Sequence, residues 1–521
     1  MSSTSLGNRQ CNSRWDGLPR EIRLLILKCL TEDGCTLARL ATVCREWQTD
    51  IEKHNFARIR LTPSRLFDFN EMTERNRALV RYIWFCLELA AYDCVTPLTP
   101  IIISFQTLFS ALSTWDPHGD LVLDISVHSP DDSEHWFKYL TFMPDTPSDM
   151  LDECAVEKAT SNRQYHDPLH GWVSGLRHSD PPIWALLRMF ENALETWGDE
   201  WWDRLPSVTA VTSLLLRQQN RRRWRPTLLA RMFARLPRLQ EVHYEPWRKW
   251  CGQSSADKGE YCCVALVHFQ GIARSGSRRQ SLSNRDPWLE YESFFKSIRH
   301  SNKSLKRLVI FENFNQQYPA TMIPSLPCKR IRDPSPAVAR AVARASLELG
   351  HVAASYIADA SHFFDMDPAW EWPNLTSLVL TSKLLTPDSD PVEIGVMLRS
   401  AAAAAMKMPR LETMEIWNGR KGLAALFRYQ ALRDKREAVV VWRGTWMLAM
   451  EPSTIQAWEA VMQQYDGWRL GLVEELLDKS AVKSHGDAIR SLELSGQVIR
   501  PISLQRILFE QKALEGVEAL E

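Results

Sequence analysis

The chain is short of glycine, with 21 in 521 residues. That excludes a collagen-like period and a flexible low-complexity chain. It also lacks net charge, because 63 Lys and Arg balance 63 Asp and Glu. No overall field therefore draws it to nucleic acid or to an anionic membrane. No two cysteines stand in C-x-x-C spacing, and the eleven present are an odd number. They read as reduced intracellular thiols rather than a disulfide framework, which places the protein in the cytoplasm, the nucleus or both. The start, Met1-Ser2-Ser3-Thr4-Ser5-Leu6-Gly7, has no apolar core of a secretory signal. The uncharged run Cys94–Trp115 contains Pro97 and Pro100 and several polar residues. It reads as a loop plus a buried helix, not a membrane span.

Catalytic signatures are missing too. There is no G-x-x-x-x-G-K-[ST], G-x-S-x-G, H-E-x-x-H or G-x-G-x-x-G. No catalytic residue, cofactor or metal site is expected, and the chain is not expected to be an enzyme. His166 and His170 have the spacing of two ligands on a helix, but Pro168 between them points to a surface loop. Cys262-Cys263 reads as one buried and one exposed residue of a strand.

What is present is a globular composition, 45% hydrophobic and 24% charged, with 21 tryptophans that imply a large aromatic core or surface. Length allows two to four domains, or one small module and one large. The most informative stretch is near the N-terminus. Pro19 suits a first helical position. Ile22, Leu25, Ile26, Cys29 and Leu30 follow at helical spacing as one apolar face, with Leu24 and Leu27 off it. A helix apolar on most of its circumference must be covered from two sides. A second helix fits Leu37 to Val43, and a third runs from about Cys44 to Arg58 with Trp47, Ile51 and Phe56 inward. Three short helices bury too little to stand alone, so a partner or the rest of the chain must cover the surplus.

The residues Leu18-Pro19-x-Glu21-Ile22-x-x-Leu25-Ile26-x-x-x-Leu30, a leucine-rich second helix, and Val43-Cys44-Arg45-x-Trp47 resemble an F-box. This is the module that binds the Skp1 adaptor of SCF-type ubiquitin ligases, and its place near the N-terminus is similar to F-box proteins of filamentous fungi. The resemblance covers under a tenth of the chain. It implies a non-catalytic substrate receptor that binds Skp1, and through it cullin, by Leu18, Pro19, Ile22, Ile26, Leu30, Leu37, Leu40 and Trp47. An unknown protein substrate would be held by the C-terminal region for ubiquitin-dependent degradation.

The body repeats a loose theme in which a helical stretch and a Leu-Pro-like turn lead into a short strand. Strands are expected at Leu121–Val127, Val211–Leu216, Leu239–Tyr244, Leu305–Ile310, Leu375–Leu380, Leu411–Ile416 and Ala438–Trp442. Lead-ins such as Leu236-Pro237-Arg238-Leu239 and Trp372-Pro373-Asn374-Leu375 are a degenerate form of the leucine-rich repeat, with wider and irregular spacing than its period of about 20 to 29 residues. Helices fit Leu228–Leu236, Trp288–Ile298 and Ile394–Met408 between them. The expected fold is α/β: a disordered start at 1–13, a three-helix F-box at 14–60, and an irregular LRR-like α/β solenoid with long insertions at 61–450. Loops are expected near 251–287 and 315–336. A helical region closes the chain at 451–521, with helices at Pro452, Leu472–Leu477 and Ile502–Ala513. A compact α/β domain sharing the strand pattern is the alternative.

One segment, Arg217 to Lys249, is locally basic around Arg221, Arg222, Arg223, Trp224 and Arg225. It reads as a solvated loop face, a site for an anionic substrate, or a nuclear-localisation or nucleic-acid patch involving Trp224 and Trp247. Ser281, in Arg278-Arg279-Gln280-Ser281-Leu282, is a candidate phosphosite. Two other functions stay open beside the receptor: a Skp1-bound or standalone interaction scaffold outside the ubiquitin pathway, and a nucleic-acid-binding protein, although nucleic acid is not the expected partner.

Overall fold

The computed structural model describes residues 15, 17–32, 37–89, 100–133, 140–146, 166, 168, 172–173, 176–177, 200–222, 224–248, 287–314, 334–365, 367–464 and 467–518. The N-terminal region is α1 (Arg20–Glu32), a 3₁₀ turn at Leu37–Thr42, and α2 (Arg45–Ala57). β1 (Arg58–Leu61) follows α2 with no linker, then α3 (Phe69–Thr73), β2 (Tyr82–Glu88), α4 (Pro100–Ser113) and β3 (Val122–His128). A small pair, β4 (Trp172–Val173) and β5 (Leu176–Arg177), stands apart from the main sheet. Next come α5 (Glu200–Asp203), β6 (Ser213–Leu216), α6 (Pro226–Ala234), β7 (Glu241–Tyr244), α7 (Pro287–Ser301) and β8 (Arg307–Phe311). α8 (Pro336–Ala345), β9 (His351–Asp359), α9 (Ala360–Phe363), β10 (Ser377–Thr381), α10 (Pro391–Ala405) and β11 (Thr413–Arg420) continue the alternation. The last elements are β12 (Leu423–Leu432), β13 (Glu437–Gly444), α11 (Pro452–Gln463), β14 (Arg469–Leu476), α12 (His485–Leu492) and α13 (Pro501–Glu518).

Proline opens α4, α6, α7, α8, α10, α11 and α13. A first-turn N–H has no intrahelical partner, so proline costs nothing there and its fixed φ suits the helix. In α8 and α10 the residue before it completes the cap: Ser335 accepts from the amide of Val338, and Asp390 from that of Val392.

The architecture is mixed α/β, a helical N-terminal region followed by a 12-stranded sheet. Leaving aside β4 and β5, the strands lie in chain order from β1 to β14. Pairing is parallel from β1 to β11, antiparallel through β12 and β13, and parallel again to β14. Alternate residues face opposite sides. One side, with Ile83, Phe85, Leu123, Ile125, Leu308, Ile310, Leu378 and Leu380, joins the helices in one continuous core. In that layer α6 packs on α7, α7 on α8, and α10 on α11. The other side differs along its length. From β8 to β12 it is apolar, with Val309, Ala353, Val379, Trp417 and Leu426 under α12. At β2, β3 and β6 it is polar yet buried, with Tyr82, Asp124, Ser126 and Arg217 meeting the loop at 140–146.

All seven expected strands are present, with shifted ends. Five others, β1, β2, β9, β12 and β14, were not expected. The expected helix at Leu472–Leu477 is instead β14, because its backbone pairs with β13 from Glu437↔Arg469 to Gly444↔Leu476. The region 451–521 is therefore not all helical. The expected boundary at 60 falls inside β1, and the second expected helix is a 3₁₀ turn. The 1–13 segment, most of the loops at 251–287 and 315–336, and His170, Arg223, Cys262, Cys263 and Ser281 lie outside the described residues.

Candidate protein-docking surface

The first turn of α1 starts from Pro19, whose carbonyl accepts from the amides of Ile22 and Arg23. The helix packs inward through Leu27, which is buried, and through the half-buried Ile26, Leu30 and Arg23. Arg23 reaches Glu46 of α2 at 2.7 Å, and the indole N–H of Trp15 donates to the same carboxylate at 3.0 Å. The rings of Trp15 and Trp47 lie 5.0 Å apart. These contacts fix the rotation of α1. They turn the opposite side outward, where Ile22 is 43% exposed, Leu24 43% and Leu25 55%, beside exposed Pro19 and Cys29. Val43, beyond the 3₁₀ turn, is exposed as well.

The apolar stripe read from sequence is thus rotated. Leu27, placed off the stripe, is the buried residue, and Leu25, placed on it, is the most exposed. Of the eight expected contact residues, Pro19 and Ile22 are exposed. Leu18, Ile26, Leu30, Leu40 and Trp47 are half-buried, and Leu37 is interior. Leu37 supports the small core and presents nothing to a partner. Of the missed candidates, Leu25 stood on the stripe and in the F-box signature, whereas Leu24 had only its apolarity as a signal, since helical spacing does not say which side of an all-round apolar helix is covered.

α2 carries this surface to the sheet. Ile51 is buried, Glu52 pairs with Arg75 at 2.5 Å, and Ala57 passes directly into β1.

Among the described residues the centre of the basic segment is not a surface. Arg217 pairs with Asp124 at 2.7 Å, Arg221 with Glu510, and Arg222 with Asp132 at 2.5 Å, all buried. Arg225 pairs with Glu290 at 2.8 Å, and Trp224 and Trp247 are buried. A buried guanidinium requires a carboxylate and hydrogen bonds, and these arginines have them. The expected docking roles of Arg221, Arg222, Trp224 and Arg225 therefore find no exposed cationic face. Burial pushes the Asp124 carboxyl up, and Arg217 and the Tyr82 hydroxyl oppose that shift.

Where β8 to β11 end, a small cleft of about 90 Å³, open to solvent, lies on the carboxyl edge of the sheet. Phe314, Tyr356 and Ala358 line it, with Arg248, Lys383 and Arg420 around it. Tyr356 sits at φ +61°, a conformation costly for a bulky residue. Its amide donates to Thr381 Oγ1 at 2.7 Å and its hydroxyl to the Gly419 carbonyl at 2.8 Å. Burial holds its phenol well above the usual value, so it stays a neutral donor. The register of β9 on β10 slips there, from Leu380↔Ala354 to Thr381↔Asp359. The Asp359 carboxylate is occupied by the amides of Ser361 and Lys383 and the hydroxyls of Ser361 and Ser382.

Among the described residues, no group of three His, Cys, Asp or Glu side chains is placed to hold a metal ion. Among them, too, no helix is long and apolar enough to cross a membrane.

Residues 15–55 match the family described as F-box-like. The chain carries an F-box-like domain, and its boundaries enclose α1 and most of α2. Residues 300–500, from the end of α7 to the start of α13, match a family of unknown function, DUF6546. No curated protein and no solved structure matches the chain.

Proposed function

We propose that this protein is the substrate-recognition subunit of an SCF-type ubiquitin ligase, docking on Skp1 through α1 and holding a protein substrate through its C-terminal region. The observation that carries the reading is the exposure of Ile22, Leu24 and Leu25 on α1, within a domain that matches the F-box-like family. Apolar side chains at that exposure on one helix of a small module are a docking surface in want of a cover.

In this reading the chain supplies no catalytic group. It raises the effective concentration of a substrate lysine near a thioester carried by another subunit. That task requires a fixed span between docking helix and substrate, and the direct passage of α2 into β1 fits it. For the substrate side we favour the cleft at the ends of β8 to β11, since ligands of open α/β sheets gather outside the carboxyl ends of the strands. We further read the sheet as an irregular, LRR-like solenoid. Strand order that follows chain order, with neighbouring helices packed in one layer, supports this. The antiparallel β11–β12–β13 meander and the covered second face depart from a plain repeat. The cytoplasm or the nucleus is the proposed compartment.

The test is co-purification of the full chain with Skp1, comparing wild type with Leu25→Asp and Ile22→Asp. Both side chains point to solvent, so folding should survive. A carboxylate buried against the adaptor should weaken binding at least about tenfold. Undiminished binding by folded Leu25→Asp, or no binding by wild type, overturns the reading. Cullin in the same eluate separates a ligase subunit from a Skp1-bound scaffold.

A further inference from the structure

β14 ends the 12-stranded sheet, and no strand among the described residues pairs with its outer edge. Along such an edge alternate backbone N–H and C=O groups point outward and template a further strand. Proteins ordinarily blunt an edge with proline, a bulge, short length or charged side chains. Of these β14 has only the charges, Arg469, Glu474 and Glu475. It runs eight residues, Arg469–Leu476, without proline, in unbroken register with β13. Leu472 is 46% exposed and Leu476 65%. Their register neighbours, Val440 and Gly444, place both on the side of the sheet that faces the helical layer. The apolar row of the core thus continues one strand beyond its cover.

The strand is also complementary to itself. We propose that β14 is a homodimer interface, in which two copies of this chain pair edge to edge, antiparallel, about a two-fold axis at Leu472. In that register Leu472 meets Leu472 of the second copy. Arg469 lies opposite Glu475 of the second copy, and the reciprocal pair repeats it. Arg469 forms no ion pair within its own chain among the described residues. Glu475 is bound on its inner side by Arg443 and keeps its outer side in solvent. Opposite charges directly across an antiparallel pair favour the register. A two-fold contact of this kind closes on itself and stops at two chains. The N-terminal docking helix packs on α2, which leads into β1 at the far end of the sheet, on the order of 50 Å away at the usual strand spacing. Both copies keep α1 free, and the inference does not depend on what α1 binds.

The test uses the full chain. Light scattering after size exclusion at micromolar concentration should give a dimer mass. Leu472→Lys places two like charges on the axis and should raise the dissociation midpoint at least about tenfold, with the unfolding midpoint unchanged. The register is tested by mild oxidation of Leu472→Cys and Val473→Cys. Directly opposed Cα atoms lie about 4.5–5.5 Å apart and permit a disulfide. Position 473 faces its own copy only diagonally, at about 7–8 Å, beyond reach. A cross-linked dimer with cysteine at 472 and not at 473 is expected. A wild-type monomer, or a dimer indifferent to Leu472→Lys, overturns the proposal.

Discussion

Arg217 leaves the end of β6 and meets Asp124 on β3, which also accepts from the Tyr82 hydroxyl at 2.5 Å. All three are buried. Removing one member leaves an uncompensated interior charge, so Asp124→Ala should cost about 3–5 kcal/mol in urea unfolding. Replacing both, with Asp124→Ala and Arg217→Met, should recover part of it. A loss below about 1 kcal/mol for the single variant would mean that water reaches the pair. His485 gives a pH dependence. Its Nε2 contacts Asn313 Oδ1 at 2.9 Å, it stacks on Phe314, and burial pushes its pKa down to about 3. The unfolded chain takes up a proton near pH 6.5 that the folded chain refuses. Stability is therefore unaffected above that value and falls as pH drops from about 6.5 toward 3, by up to ~1.4 kcal/mol per pH unit. His485→Gln should remove this slope between pH 6.5 and 5. His351, pushed down to about 3 by burial and the neighbouring Arg307, keeps a second slope. Equal slopes in wild type and variant would refute the assignment. None of these partners was legible in sequence. A run of arginines looks cationic until carboxylates such as Glu510 arrive from the other end of the chain.

α13 shows the same at the level of an element. Its seam with the sheet is largely polar. Ser503 donates to Glu245 at 2.6 Å, Glu510 binds Arg221, and Arg500 just before it pairs with Asp145 at 2.5 Å. A chain ending at Arg500 would strand Glu245 and Arg221 in the interior, so we expect its stability to fall by several kcal/mol. Unfolding like that of the full chain would show the strap to be dispensable. The helix itself was legible from its apolar spacing, and so were the seven strands, four of them with Leu-Pro-like lead-ins. β14 was not, because the spacing of Leu472, Val473 and Leu476 fits a helix as well as a strand, and its partner β13 decides. The prolines that open seven helices were a usable signal. They stand one to three residues ahead of Leu228, Trp288, Ile394 and Ile502, the positions from which four of those helices were read.

At the scale of the molecule, one core runs from Leu61 to Met462, and the buried residues of the N-terminal module, Leu27, Leu37 and Ile51, are not part of it. Local opening is easiest where few apolar groups are buried. Amide exchange of α1 should therefore be much faster than that of β3, β8 and β10, and should slow when the adaptor binds. Protection of α1 equal to those strands in the free protein would mean that it belongs to the main core.

The sequence by itself determined the N-terminal F-box-like module, the alternation of helix and strand, and the positions of most elements. These follow from local spacing, turn chemistry and proline, all legible within a dozen residues. Tertiary structure alone decided which side of α1 faces solvent, that Arg217, Arg221 and Arg222 are interior, and that the last strand has an outer edge unpaired among the described residues. Each of those depends on groups far apart in the chain. A side chain becomes surface or core, and a charge free or paired, only when folding brings its neighbours to it.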